Sequence, residues 1–215
     1  MKKIIIMLIG LISYTSVKAQ DFEEVLTAEV RKFETTDTLQ RKMDASNRID
    51  LIAGKWSDQW MAHYYSAYAK LTLSYLLTGE KQRDAIIDKA EAEIAEVRKL
   101  NGATEDELLV MEAFAASARL SVKSGSRWKK YGGIFDAKLE EAKKLKPTNP
   151  RIYYLKGESL FYTPKAFGGG TKNALPQFEK AATYFKSEPK DKLDTIHWGA
   201  YRNEYYINEC KKGKA

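Results

Sequence analysis

From residue 21 onward the apolar residues of this chain recur at steps of three and four, and no stretch alternates apolar and polar at steps of two. That period lines up side chains on one face of an α-helix, whereas a half-buried strand needs a period of two. The expected fold class is therefore all-α. Two shorter helices fill 21–55, broken near Thr35-Thr36-Asp37, with Asp37 or Thr38 as a cap. A helix over 57–78 carries the stripe Trp60, Tyr64, Tyr68, Leu71 and Tyr75, and ends at Thr78-Gly79. The next, 81–100, buries Ile87, Ala90, Ile94 and Val97 and keeps a charged opposite face. Asn101-Gly102 closes it with a pair that tolerates a left-handed backbone.

Thr104-Glu105-Asp106-Glu107 reads as a capping box for the following helix, with reciprocal bonds between Thr104 and Glu107. Ala113, Ala115, Ala116, Ser117 and Ala118 make that helix narrow, which suits the middle of an array; Ser124-Gly125 is expected to end it. A helix with Phe135, Leu139, Ala142 and Leu145 stops at Pro147. Asn149-Pro150 opens another, with proline in its first turn. After the loop 163–170 (TPKAFGGG) a helix carries Leu175, Phe178, Ala182 and Phe185. Pro176 lacks an amide hydrogen and fits the first turn if Asn173 is the cap. A last helix over 196–211, with Trp198, Tyr201, Tyr205 and Cys210, is placed where helical arrays carry a capping helix.

Helices paired at intervals of roughly forty residues suggest a repeat. Ala174, Phe178 and Ala181 keep the spacing of the second helix of a tetratricopeptide repeat, and Tyr153, Gly157 and Leu160 stand at the positions of its first. Gly157 and Ala174 let the two helices touch, and Phe178 fills the space beside them. On these residues the chain resembles the tetratricopeptide family, strongly over the last pair and loosely from 57 onward. The resemblance implies antiparallel helix pairs stacked as a short right-handed superhelix, with the first helix of each pair lining a concave groove. The loop 163–170, followed by Asn173-Ala174-Leu175 and Phe178-Glu179-Lys180-Ala181, also looks like a stretch of exported helical-repeat proteins such as the periplasmic T-component of tripartite ATP-independent transporters. That likeness implies an internal apolar cavity for a small ligand.

Lys2 and Lys3, the apolar run 4–12 and Val17-Lys18-Ala19 read as a secretory signal peptide, 1–19, leaving 20–215 as one helical-repeat domain. At ~1.5 Å per residue the run extends about 13 Å, less than half of a ~30 Å hydrocarbon core, so stable membrane insertion is not expected. Of 36 basic and 29 acidic residues, Lys2, Lys3 and Lys18 fall in the first twenty, and the rest carries 33 basic residues and a net charge of +4. Such a balance gives no support to a nucleic-acid partner. Cys210, the single cysteine, has no partner for an internal disulfide and is expected to pack in the last helix.

Catalytic and metal signatures are missing. His63 and His197 lack ligand spacing, and nothing sets a histidine between an acid and a nucleophile. Gly168-Gly169-Gly170 precedes a helix, but no phosphate-loop lysine follows; it reads as a bend that folds Phe167 back onto the helix pair. Neither an enzyme nor a cofactor is expected. Aromatic residues are the suggestive feature. Tyr64-Tyr65 and Tyr153-Tyr154 are adjacent pairs, and helical neighbours diverge by about 100°. One tyrosine of each pair is therefore expected on a second surface. The expected groove is lined by Trp60, Tyr64, Tyr68, Tyr154, Glu158, Phe161 and Phe167. It would engage a protein or peptide partner or, on the transporter-like reading, a small apolar ligand.

Overall fold

The computed structural model describes residues 22–188 and 196–213, and the expected signal peptide lies outside them. The fold is all-α, with no strand among the described residues. Helix α1 covers 22–35, followed by α2 (Leu39–Lys55), α3 (Trp60–Ser74), α4 (Glu80–Leu100), α5 (Glu105–Val122) and the single turn α6 (Ser124–Arg127). A π-helical turn, Trp128–Gly132, leads into α7 (Gly133–Leu145); then come α8 (Pro150–Tyr162), α9 (Thr171–Phe185) and α10 (Ala200–Lys211). Consecutive helices pack as the pairs α3/α4, α5/α7 and α8/α9. Helix α5 also touches both α3 and α8, so the first helices form an inner row and their partners an outer one. Stacked pairs of this kind make an α-solenoid-like array.

Burial follows the rows. On α4 only Ile87, Ala90, Ile94 and Val97 are buried, the expected stripe of a half-exposed helix. On α3 every residue from Met61 to Leu71 is buried, and α5 is similarly enclosed. An inner helix touches neighbours on both sides, and the small residues of α5 permit that approach. Between α8 and α9 the backbones come close enough that a Cβ on Gly157 would lie 2.7 Å from the Phe178 ring.

Local signals place most helix ends. Thr38 caps α2, accepting from the Arg41 amide at 3.4 Å; Asn149 caps α8 ahead of Pro150, accepting from the Arg151 amide at 3.0 Å. Asn101 closes α4 in the left-handed region, φ 51°. Three expectations are corrected. The capping box does not form: the Thr104 side chain makes no cap bond, and the Glu107 carboxylate turns inward to Tyr64, Asn149 and Arg151. A buried arginine makes the stronger claim on that carboxylate than a solvated helix end. Ser124-Gly125 starts a new turn instead of closing α5. Helix α9 starts at Thr171, not after Asn173, because Gly170 at φ 93° turns the chain earlier. Pro176 thereby sits one turn deeper than expected, and Asn173 donates to the Gly168 carbonyl at 3.0 Å.

Candidate ligand-binding site

The inner row supplies the aromatic residues, and they divide into a closed half and an open half. In the closed half Trp198, just ahead of α10, inserts between the three inner helices. Its ring lies 5.0 Å from Tyr68, 5.7 Å from Phe114 and 6.0 Å from Tyr154, centre to centre. The indole N–H donates to the Tyr64 hydroxyl at 2.9 Å, which donates in turn to Glu107 at 2.8 Å. Arg151, only 1% exposed, anchors the same segment: it pairs with Glu107 at 3.2 Å and Glu188 at 2.7 Å, and donates to the Ile196 carbonyl at 2.6 Å. The main-chain N–H of His197 donates to the Tyr65 hydroxyl at 2.8 Å. Helix α1 covers the neighbouring surface, with Phe33 set edge-on against Tyr68.

Tyr64, Tyr68 and Tyr154 are thus buried, and so are Tyr65 and Tyr153. Tyr153 and Tyr154 pack against different partners, Tyr184 and Trp198, whereas the Tyr64 and Tyr65 rings meet edge-on at 5.8 Å; all four are covered by the chain itself. Trp60 lies at the start of α3 against the α4–α5 turn, where a Cβ on Gly102 would approach its ring to 1.9 Å. Phe167 does not fold back; at 81% exposure it projects from the 163–170 loop. Glu158 and Phe161 are partly exposed on α8.

These last two belong to the open half, a recess between the C-terminal ends of α3 and α8, the middle of α5, and α10. Its floor is a stack: Tyr75 lies nearly parallel to Phe114 (6.1 Å, 19°), and Phe114 nearly parallel to Trp198 (5.7 Å, 21°). The Tyr75 hydroxyl donates to Ser117 at 2.9 Å, and the residue keeps 38% of its surface open. Across from it Phe161, Tyr162 and Tyr206 meet edge-on, and Tyr206 stacks on Phe178 at 5.1 Å and 3°. Glu158 accepts from the Tyr206 hydroxyl at 2.8 Å and from Tyr154 at 3.4 Å, with the Arg202 guanidinium 3.6 Å away. Glu34, near the end of α1, accepts from Tyr68 at 3.2 Å beside the cation of Lys42.

Burial governs the charge state here. It pushes the Glu34 carboxyl up to about 7 against the lowering pull of Tyr68 and Lys42. It also raises Glu158, against Arg202 and the hydrogen bonds from Tyr206 and Tyr154. The phenols of Tyr68, Tyr75, Tyr154 and Tyr206 are raised by the same desolvation and stay neutral donors at physiological pH.

Two clefts lie elsewhere. One of about 380 Å³ runs between α4, α5 and α7 over Ile94, Ala115, Ala116 and Ile134; its rim cations Arg98 and Lys138 are both tied to Glu112. The other, about 260 Å³, lies among α2, α3 and α4 and exposes little of Lys70, which is held by Asp50, Ser66 and Glu93. His63, placed beside that network, bonds Glu93 at 2.6 Å. Among the described residues no group of His, Cys, Asp or Glu is arranged to hold a metal ion, and no helix is long and apolar enough to cross a membrane.

The fold has a solved counterpart. The chain is similar to the HusA haemophore from Porphyromonas gingivalis, with a TM-score of 0.75 and 28% identity over 90% of this chain and 94% of that one. No family model matches the chain, and neither does any curated protein. The Arg202–Tyr206 side of the recess escaped sequence reasoning. A two-step signal was there: Arg202 and Tyr206 share a face four residues apart, as do Tyr154 and Glu158, but nothing in the sequence joins α10 to α8.

Proposed function

We propose that this chain is an exported binding protein that captures haem, or a flat ring ligand of the same kind, on the aromatic wall of the recess. The observation that carries this reading is the coincidence of two features. The chain is similar to a haemophore over nine-tenths of its length, and its inner face keeps one aromatic stack open at Tyr75. Haem is a planar, largely apolar ring with two carboxylates at one edge. Tyr75, Phe161 and Tyr162 offer ring surface for such a ligand, and Arg202, 48% exposed, is a cation placed to meet a carboxylate. On this reading the recess binds and holds its ligand.

Haemin titrated into the purified protein should shift and sharpen its absorption band and quench tryptophan fluorescence, saturating at a fixed stoichiometry. Tyr75→Ala should weaken that binding about tenfold, equivalent to about 1.4 kcal/mol, with the circular dichroism spectrum unchanged. A haemin spectrum unaltered by the protein counts against the reading.

A peptide or protein partner is the second reading. It is favoured by the exposed aromatic residues Tyr162, Phe167, Tyr201 and Tyr205 near the recess and its loop. Capture of a partner that survives Tyr75→Ala but is lost with Tyr201→Ala and Tyr205→Ala would support it.

A further inference from the structure

We propose that Glu158 is a proton-linked counterion of Arg202, and that Arg202 exchanges it for a carboxylate of the incoming ligand. This rests on the haem reading and concerns the regulation of that same site. Arg202 donates from Nε to the Tyr154 hydroxyl at 3.3 Å and from Nη2 to Tyr206 at 3.2 Å, while the nearest Glu158 oxygen stands 3.6 Å from Nη2. Both phenols donate to that same Oε1 of Glu158. The Arg202 side chain is half open to solvent, whereas the Glu158 side chain is 17% exposed. The cation's side chain is thus the more open of the two.

A ligand carboxylate on the open side of Arg202 places a second anion within a few ångströms of Glu158. Like charges at that separation in a partly dry site disfavour each other's ionised forms. Glu158 is already raised by burial, so it is the carboxyl that gives way. A proton from solvent goes onto its free Oε2, Oε1 keeps its two phenol donors, and the cation is released to the ligand. The other groups facing this point do not substitute for it. They are Tyr154 and Tyr162 on α8, Tyr206 on α10 and Tyr75 just past α3, with Arg83 of α4 behind Tyr75. Glu34 of α1, Lys42 of α2, Asp37 ahead of α2 and Tyr68 of α3 form a neighbouring set that the Arg202 charge also reaches, helping burial to lower the Lys42 ammonium. The phenols of Tyr75, Tyr154 and Tyr206 are held neutral by burial. Burial raises the Glu34 carboxyl as well, so the two carboxyls have to be separated by mutation.

The test is haemin affinity at pH 6, 7 and 8, read from absorbance titrations of the full chain. Wild-type Kd should rise with pH, by up to about tenfold per unit, the limit for one linked proton. Glu158→Gln should hold the wild type's pH 6 affinity up to pH 8. Haemin dimethyl ester, which has no carboxylate, should bind the wild type with little pH dependence. A pH-independent wild-type Kd for haemin, or an unchanged slope in Glu158→Gln, overturns the proton link and leaves haem binding standing. No haemin binding at any pH overturns both. Should Glu158→Gln fail to fold by circular dichroism, haemin and its ester on the wild type decide alone: equal slopes overturn the proposal.

Discussion

The two halves of the inner face are built from the same residue types and end in opposite states. Around Tyr64 and Tyr68 the face of the helix row is filled by Trp198, 2% exposed, with Arg151 and Glu107 locking the segment down. Around Tyr75, Glu158 and Arg202 the same row stays open. Tyr68 on α3 and Tyr75, the residue that caps its end, sit seven residues apart, about two turns, yet one is core and the other keeps 38% of its surface. Tyrosine content therefore does not tell groove from core here. What separates them is whether a distant part of the chain supplies a ring to cover them.

The sharpest way to break the comparison is Trp198→Ala. It should cost about 3–5 kcal/mol of stability, because a buried indole leaves a cavity and the Tyr64 hydroxyl loses its donor; urea unfolding measures it, and a loss under 1 kcal/mol would mean the closed half is not closed. Next in size is Gly157→Val, which drives a side chain into the Phe178 ring and should cost about 1–3 kcal/mol. Thermal melting would register it, and a wild-type melting temperature would deny the close approach of α8 and α9.

A smaller effect depends on pH. Glu34 is raised to about 7 in the fold, so the folded chain binds more protons than the unfolded chain from about pH 4.5 up to 7. Its contribution is fully present below the unfolded value and is lost as pH climbs through that window. Glu34→Gln should remove the loss and gain about 1–2 kcal/mol at pH 8 relative to wild type, the residual exposure of Glu34 keeping it below the full linkage. Denaturant midpoints at pH 5 and pH 8 check the sign. Smallest of all is Phe167→Ala. At 81% exposure it should move stability by no more than about 0.5 kcal/mol; a larger loss would show that the loop packs after all.

The legible part of the fold is the part set by neighbours in sequence. Thr38, Asn101 and Asn149-Pro150 mark helix ends because a cap or a left-handed turn is satisfied within a few residues. The stripe on α4 was readable because one side of that helix meets solvent. Helix α3 was harder: once buried all round, its pattern no longer says which neighbour each face meets. Glu107 shows the limit plainly. Its spacing from Thr104 fits a capping box, and only the arrival of Arg151, 44 residues on, takes the carboxylate away.

By itself the sequence determined the helices, their pairing and the closeness of Gly157 to Phe178, since these rest on period, capping and side-chain size along short stretches. The tertiary structure alone decided which tyrosines are covered and where the recess opens. That choice is made by contacts across more than a hundred residues, such as Trp198 on Tyr64, 134 positions apart. Such pairings depend on the path of the whole array and leave no mark in local spacing.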